Sequence, residues 1–249
     1  MKKMIKTLAA ILAATLTLTV QVAAADGYSW YCMRKKNHER PCAESNMAFI
    51  SECGGYYLGA DEKVIYLTFD AGYENGNISK ILDTLKAHDV RAAFFVLENT
   101  IKREPELMKR MAEDGHFICN HTMKHKNMAN FTDAEFEKEL TSLEALASEN
   151  GIELSKFYRP PEGRFSRANL EKASEMGYKT ILWSFAYADW DNNKQPSESY
   201  AIDLILNNVH NGEIMLLHPT SATNAAILDR VLTALENDGY RFGTLDELE

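Results

Sequence analysis

Short apolar runs that favour β-strands alternate along most of this chain with amphipathic stretches that favour helices. The strand-like runs lie at residues 64–69, 92–97, 117–119, 156–158, 180–185, 214–217 and 241–245. The helical patterns lie at residues 78–88, 104–114, 132–149, 166–176, 198–209 and 224–238. This alternation is typical of parallel βα units, and strands that are apolar almost throughout indicate a sheet covered on both faces. The sequence therefore predicts an α/β fold, either a closed or nearly closed barrel or an open doubly wound sheet.

Local signals mark the ends of several predicted helices. Thr132 followed by Glu135 has the spacing of a capping box. No G-x-G-x-x-G motif follows the first strand, which disfavours a dinucleotide-binding version of the open sheet. A glycine just past a helix favours a left-handed residue that ends it, and the glycines so placed are Gly115, Gly151, Gly177 and Gly239.

Composition excludes several classes of protein. The chain has 249 residues, of which 45% are hydrophobic and 25% charged, as in an ordinary globular protein rather than a disordered one. Its formal net charge is −9, so we expect no basic surface for the phosphates of DNA or RNA and no nucleic-acid partner.

The first 25 residues resemble an export signal. Lys2, Lys3 and Lys6 form a basic start, residues 7–22 are uncharged and apolar, and residues 23–25 are all alanine. This order predicts a signal peptide cleaved after Ala25, because the apolar run is shorter than the roughly 20 residues that a spanning helix needs. We therefore expect a secreted or cell-wall-associated protein; the alternative is a membrane anchor formed by an uncleaved signal.

The segment 26–61 reads as an irregular N-terminal arm that precedes a single domain at residues 62–249. It contains an aromatic stretch at residues 28–31 and a basic one at residues 34–36. Export makes disulfides possible, but the pairing is open, and a reducing host would leave every thiol free. Three cysteines fall in the arm, namely Cys32, Cys42 and Cys53, whereas Cys119 lies in an apolar run and reads as a core residue.

Ionisable side chains follow five of the predicted strands, where each strand ends. In parallel α/β folds the carboxyl ends of the strands meet the loops that carry the chemistry. We therefore expect these side chains to lie together. They are Asp70, His121, His125, Arg159, Asp189 and His218.

His121 and His125 stand four residues apart, a spacing that on a helix or tight helical turn aims both imidazoles at one point. Such a pair can hold a divalent metal; the alternative is two surface histidines on one helix face. Glutamate does not follow His121, so this is not the H-E-x-x-H arrangement of zinc proteases.

Two further pairs are predicted from position alone. A charge at Asp70, at the end of an apolar strand, is costly unless it is paired, and Arg159 is the expected partner; the alternative is a purely structural salt bridge. Asp189 is the expected carboxylate to orient His218 and raise its pKa, the alternative being a satisfied core histidine. An acid, a base and a metal pair together predict metal-assisted hydrolysis.

The ordered motifs T-F-D-x-G, H-T-x-x-H, R-P-P-x-G, D-W and L-L-H, at residues 68–72, 121–125, 159–163, 189–190 and 216–218, resemble those of the polysaccharide deacetylases. These form carbohydrate esterase family 4, with the NodB homology domain. The resemblance covers roughly residues 62–248 and implies an irregular (β/α) barrel of about seven parallel strands.

Finer features resemble one subgroup, the peptidoglycan N-acetylmuramic acid deacetylases that generate muramic δ-lactam in spore cortex. They are residues 66–70 and 72–76, the run 183–190, and the arm residues 28–31 with His38 and Pro41. The resemblance implies metal-dependent removal of N-acetyl groups from a peptidoglycan glycan strand. We expect a monomer with no dedicated protein partner.

The resemblance also implies roles for matching residues. Asp70 would be the general base that activates a water, and Arg159 would orient it and balance its charge. His121 and His125 would hold the metal.

On the other side of the site, His218 would be the general acid that protonates the leaving amine, and Asp189 would tune it. Trp190 and Leu216 would help to form the apolar pocket around the acetyl methyl group, and Tyr73 is a further candidate for the substrate pocket.

One position departs from the family pattern. Most members carry a third metal ligand, an acid, where this chain has Ala71; the subgroup also tends to lack it. Glu74 or Asn75 is a conceivable substitute, and the metal is left open between zinc, cobalt, manganese and magnesium. Two alternative functions stay open: a deacetylase of N-acetylglucosamine polymers such as chitin oligosaccharides or, because the acid is missing, a non-catalytic glycan-binding barrel.

Overall fold

Residues 27–248 are described by the structure, a computed structural model of the chain. The predicted signal peptide at residues 1–25 lies outside the described residues. No helix within residues 27–248 has the length and apolar character needed to cross a bilayer.

The described strands and helices follow one another in the alternation that the sequence predicts. The strands are β1 (Tyr28–Ser29), β2 (Gly55–Tyr56), β3 (Val64–Ala71), β4 (Ala93–Val96), β5 (Phe117–Asn120), β6 (Ser155–Tyr158), β7 (Arg164–Phe165), β8 (Lys179–Ile181), β9 (Glu213–Leu217) and β10 (Arg241–Gly243). The helices are α1 (Phe49–Glu52), α2 (Ile78–Ala87), α3 (Glu98–Arg103), α4 (Pro105–Glu113), α5 (Asp133–Glu149), α6 (Arg167–Glu175), α7 (Glu198–Leu206) and α8 (Ala222–Asn237).

The main sheet is parallel throughout and curls into an irregular barrel. Its order is β9–β3–β4–β5–β6–β8–β2, and β10 shares an edge of β3 with β4. All seven predicted strands are present, and the short strand β2 adds an eighth. The predicted irregular (β/α) barrel is therefore confirmed, and the open doubly wound sheet is not the fold.

The barrel closes between β8 and β9 without a regular ladder. Single bridges join Phe185 to Met215 and Leu58 to Glu213. The amide of Ser184 donates to the carbonyl of Ile214 at 3.0 Å, and the amide of Leu216 donates to that of Phe185 at 2.9 Å. We call this closure the seam: residues 58–59 and 184–185 against residues 212–216.

Strand β3 shows how alternation sorts side chains between two cores. Ile65, Leu67, Phe69 and Ala71 belong to the large apolar cluster under the helices. Val64 and Tyr66 belong to a second cluster inside the barrel. Burying each large apolar side chain stabilises the fold by roughly 1.5–3 kcal/mol. The inward positions nearest the carboxyl end are polar, namely Thr68 and Asp70, so the interior changes from apolar to polar at the mouth.

Predicted helix ends are confirmed in detail. Thr132 and Glu135 form a reciprocal capping box at the start of α5. The four predicted glycines all have positive φ, between 71° and 83°. Sequence reasoning missed α1 and α3, which are only four and six residues long.

Part of the predicted arm contributes to the barrel itself. Strand β1 pairs with β7 in an antiparallel manner, and β2 pairs with β8. Trp30 is buried against this face, where its indole N–H donates to the carbonyl of Trp183 at 2.8 Å. Strand β2 belongs to the predicted arm but lies in the main sheet. The boundary between arm and domain at residue 61 therefore stays a prediction.

The four cysteines are all free thiols in this structure, so none of the open disulfide pairings is formed. Cys119 is buried inside the barrel, as predicted.

Candidate active site

Asp70 and Arg159 form an ion pair at the mouth of the barrel. Arg159 Nη1 donates to Asp70 Oδ1 at 2.8 Å. The guanidinium is completely buried; its Nη2 donates to Thr68 Oγ1 at 2.8 Å and its Nε to the carbonyl of Ile181 at 3.0 Å. Its carbon also lies 4.1 Å from the centre of the Phe95 ring. The arginine is thus held on all sides, and it fixes the carboxylate at the end of β3.

The charges around Asp70 decide its protonation. Burial alone would raise the pKa of this carboxyl. His121, which takes up a proton only in the acidic range where Asp70 itself titrates, the permanent charge of Arg159 and, more weakly, His218 together hold the pKa below its usual range. Asp70 is therefore ionised at neutral pH.

His121 begins the loop after β5 and turns its ring toward Asp70. Its Nδ1 donates to the carbonyl of Arg159 at 2.9 Å, so the other nitrogen, Nε2, carries the lone pair when the ring is neutral. Burial lowers the pKa of His121 to about 4, although the charge of Asp70 opposes the shift. The ring is therefore neutral at pH 7 and able to act as a metal ligand.

His125 lies beside His121 with ring centres 5.0 Å apart, but not by the predicted helical geometry. The expectation of a helix or tight helical turn is wrong: residues 121–125 form a loop, in which Thr122 (φ 71°) and His125 (φ 54°) take left-handed conformations. The Asn120 side chain accepts from the Thr122 amide, and the Thr122 hydroxyl accepts from the His125 amide. These contacts compensate the strain of a β-branched residue at positive φ.

A divalent metal fits this group of donors. His121 Nε2 and Asp70 Oδ2 face each other at 3.5 Å, and with a neutral ring neither atom has a proton to donate. Two acceptor atoms this close repel each other, and a cation between or beside them would stabilise the arrangement. The described residues contain no cluster of three or more His, Cys, Asp or Glu arranged as a complete metal site.

Ala71 stands where most family members have an acid. Its side chain lies in the outer apolar cluster and is fully buried. Of the two suggested substitutes, Asn75 donates to the carbonyl of Thr220 at 2.8 Å. Glu74 accepts from the amide of Gly76 through one oxygen, and its Oε2 is buried without a hydrogen-bond partner. Both contacts shape the loop after β3.

His218 and Asp189 form the second pair at the mouth. His218 Nδ1 lies 2.7 Å from Asp189 Oδ1, and the His218 amide donates to Asp189 Oδ2 at 2.7 Å. Asp189 is completely buried, and the side-chain amide of Asn224 also donates to it, at 2.6 Å. Sequence reasoning missed Asn224 because nothing marks the first turn of α8 as part of the site.

The charge of Asp189 governs the protonation of His218. Burial alone would lower the pKa of this imidazole, but the Asp189 carboxylate and its hydrogen bond, with the more distant charge of Asp70, raise the pKa above its usual value. The remaining ring nitrogen, Nε2, is then the atom that presents a proton to the mouth.

The three predicted pocket residues differ in exposure. Leu216 is buried and pairs with Thr68 across β9 and β3. Trp190 is 59% exposed, with its ring centre 6.3 Å from that of His218, and Tyr73 is 48% exposed and accepts from the Asn192 side chain. Open aromatic faces at the mouth suit the apolar faces of sugar rings.

Comparison with known proteins agrees with the fold. A family model described as polysaccharide deacetylase matches residues 58–181. The peptidoglycan-N-acetylmuramic acid deacetylase PdaA of Bacillus subtilis is 38% identical over 243 residues, which span 96% of this chain and 92% of the relative.

Two further matches agree. A peptidoglycan-N-acetylglucosamine deacetylase of Bacillus cereus is 33% identical over 193 residues, 76% of this chain and 89% of the relative. The solved structure of Bacillus subtilis PdaA, a family 4 carbohydrate esterase, matches with a TM-score of 0.86 and 39% identity, covering 90% of this chain and 97% of that one. This chain belongs to the polysaccharide deacetylase family of enzymes, as its five motifs predict. Within that family it is similar to PdaA along nearly its whole length.

Proposed function

We propose that this enzyme removes the N-acetyl group from N-acetylmuramic acid in peptidoglycan. The observation that carries the proposal is that two groups lie at the same barrel mouth: the ionised carboxylate Asp70, and the imidazole of His218 with its pKa raised by Asp189. An acid and a base with separated pKa values are what amide hydrolysis needs. The similarity to PdaA supports muramic acid as the sugar.

In this mechanism Asp70 accepts the proton of the attacking water, and Arg159 keeps the carboxylate ionised and correctly turned. A divalent metal bound by His121 and His125 would polarise the amide carbonyl and lower the pKa of the water. A carboxylate with a low pKa is a weak base, so the acidity that the metal supplies complements Asp70.

His218 then donates the proton of its Nε2 to the leaving nitrogen. This step is essential because an amide anion is a poor leaving group. Asp189 stabilises the imidazolium before the transfer, and Leu216 with Trp190 would enclose the acetyl methyl group. The products are acetate and a free amine on the sugar.

Where muramic acid lacks its peptide, we further propose that the freed amine closes on the lactyl carboxyl of the same sugar to give muramic δ-lactam. A role in spore cortex and export through the segment 1–25 belong to the same proposal. The similarity to an N-acetylglucosamine deacetylase supports a second candidate substrate, N-acetylglucosamine in the same strands.

The decisive experiment is mass spectrometry of glycan strands incubated with the purified protein, with added Zn²⁺, Co²⁺, Mn²⁺ or Mg²⁺ or with a chelator. We expect loss of acetyl groups from muramic acid and formation of the lactam, both suppressed by the chelator. The variant Asp70→Asn should lose at least about 100-fold in kcat. Its folding is checked by circular dichroism, because Arg159 is left without its buried partner. Acetyl loss confined to N-acetylglucosamine would favour the second candidate, and no acetyl loss with any metal would reject both.

A further inference from the structure

A short loop of the N-terminal segment begins at the rim of the active site. The amide of Trp30 donates to the carbonyl of Gly163 at 2.8 Å, and its indole donates to that of Trp183. Gly163 ends the motif that begins with Arg159, and Trp183 lies on the segment that leads to Asp189. We call residues 31–36, which follow Trp30, the cationic loop.

The other end of the cationic loop is also fixed. Asn37 and His38 take left-handed conformations, with φ of 58° and 59°. His38 Nδ1 lies 2.7 Å from the carbonyl of Val209, and Arg40 donates to the carbonyl of Gly59 at 2.5 Å. A segment fixed at both ends loses little entropy when it binds a partner.

The cationic loop presents charge and aromatic surface to solvent. Tyr31 and Met33 are 67% and 70% exposed. Arg34, Lys35 and Lys36 are exposed as well, and among residues 27–248 none of the three has an ion-pair partner. Three consecutive unpaired cations are unusual on a chain with a formal net charge of −9.

Arg34 contacts the segment that leads to Asp189, the carboxylate that orients His218. Its Nη1 donates to the carbonyl of Ala186 at 3.5 Å, and Ala186 lies three residues before Asp189. A polymer held by the cationic loop would therefore run across the same rim as the sugar at the barrel mouth.

We propose that the cationic loop binds the glycan strand beyond the reacting sugar, through the lactyl carboxylates of muramic residues that carry no peptide. The proposal rests on the proposed function, in which such strands are the substrate. Arg34, Lys35 and Lys36 supply the charge that attracts a row of carboxylates, and Tyr31 offers an aromatic face to a sugar ring. An anionic membrane would attract the same charges, but the anchoring of the loop at Gly163, Trp183 and Ala186 favours a ligand shared with the site.

The test compares three variants. The first removes the charges (Arg34→Gln, Lys35→Gln, Lys36→Gln), and the second preserves them (Arg34→Lys, Lys35→Arg, Lys36→Arg). The third is a control on exposed cations elsewhere (Lys86→Gln, Arg91→Gln, Lys109→Gln), of which Lys86 and Lys109 have ion-pair partners in Asp114 and Glu113. For each we measure kcat and KM on peptide-free glycan strands, on the same strands with amidated carboxylates, and on an N-acetylated disaccharide. Co-sedimentation with the strands and with phosphatidylglycerol vesicles measures binding directly.

We expect the charge-removing variant to raise KM on the strands about tenfold at low salt and to leave kcat unchanged. Its KM on the disaccharide and on amidated strands should match that of the unmodified protein, and the other two variants should stay within about twofold. An unchanged KM and unchanged binding of strands would overturn the proposal. Charge-dependent binding of vesicles but not of strands would also overturn it, in favour of a membrane partner. If no variant releases acetate, the proposed function fails, and co-sedimentation still decides whether the cationic loop binds the strand.

Discussion

The contacts of Asp189 determine which nitrogen of His218 faces the barrel mouth. Both carboxylate oxygens are used within the protein, one by the imidazole and one by the His218 amide and Asn224. Because Nδ1 faces the carboxylate, only Nε2 is left for the role of acid that we propose for His218. A buried carboxylate in this position orients the ring and raises its pKa at the same time.

The variant Asp189→Asn should move the pH profile of the enzyme. The raised pKa of His218 keeps the imidazole protonated to a higher pH, so activity persists until the pH rises through that pKa. Removing the carboxylate charge lowers the pKa of His218, and the alkaline limb of kcat should shift down by about one pH unit. We also expect kcat at the optimum to fall about 10- to 100-fold. A pH–rate profile measures both effects, and an unmoved alkaline limb would remove His218 from the role of acid.

His125 offers a test of metal binding that does not depend on activity. Its side chain is exposed, so His125→Ala should change the melting temperature little while weakening the affinity for added Zn²⁺ or Co²⁺ by about 100-fold. Isothermal titration calorimetry measures the affinity. The control is His88→Ala, a histidine paired with Asp229 and Glu236 away from the site. Equal affinities of the two variants would contradict the assignment of His125 as a ligand.

At the scale of the elements, long periodic segments were predictable and short ones were not. The capping box and the spacing of apolar residues predict the 17-residue helix α5, and a continuous apolar run predicts strand β3. Strand β2 has two residues and carries no such signal, and β8 stops at Ile181 although the apolar run continues to residue 185. Beyond Ile181 the chain leaves the ladder and joins the seam instead.

The candidate site shows the same division. Strand-end position predicted Asp70, Arg159, Asp189 and His218, because parallel strands bring their carboxyl ends together. The loop that holds His125 could not be predicted, since it depends on left-handed residues supported by side-chain contacts. Thr68 lies within a motif, yet its hydrogen bond to Arg159 is a property of the folded barrel.

The turn into β9 should tolerate no side chain at Gly212. Its φ is 66°, and a Cβ there would lie 2.2 Å from the carbonyl oxygen of Ala60 and 2.7 Å from that of Gly59. We expect Gly212→Ala to lower the free energy of unfolding by about 3 kcal/mol or more, because a backbone clash adds to the conformational strain. Gly151→Ala is the matched control: its φ is 71° with no atom within 4 Å, so it should cost only about 1 kcal/mol. Denaturant unfolding measures both, and similar losses would refute the clash.

For the molecule as a whole, one buried histidine away from the site predicts loss of stability in acid. Burial lowers the pKa of His116 from 6.5 to about 4, its Nδ1 accepts from the Ala92 amide, and its Nε2 has no partner. The unfolded chain binds this proton more readily, so the contribution of His116 is complete above about pH 6.5 and is lost as the pH falls toward 4.

The expected loss from His116 is about 3 kcal/mol between those two pH values. The variant His116→Gln keeps an acceptor for the Ala92 amide and does not titrate. Its free energy of unfolding should therefore fall less steeply from pH 6.5 to pH 4, measured by denaturant unfolding at each pH. Parallel curves for the two proteins would show that His116 is not responsible.

The contacts between Asp189 and His218 also bear on the closure of the barrel. Residues 184–185 and 214–216 are the two sides of the seam, and the chain continues from the first side to Asp189 and from the second to His218. The hydrogen bonds between Asp189 and His218 therefore join the two sides of the seam. We expect a substitution that breaks these contacts to release the His218 ring and to weaken the closure of the barrel at the same time.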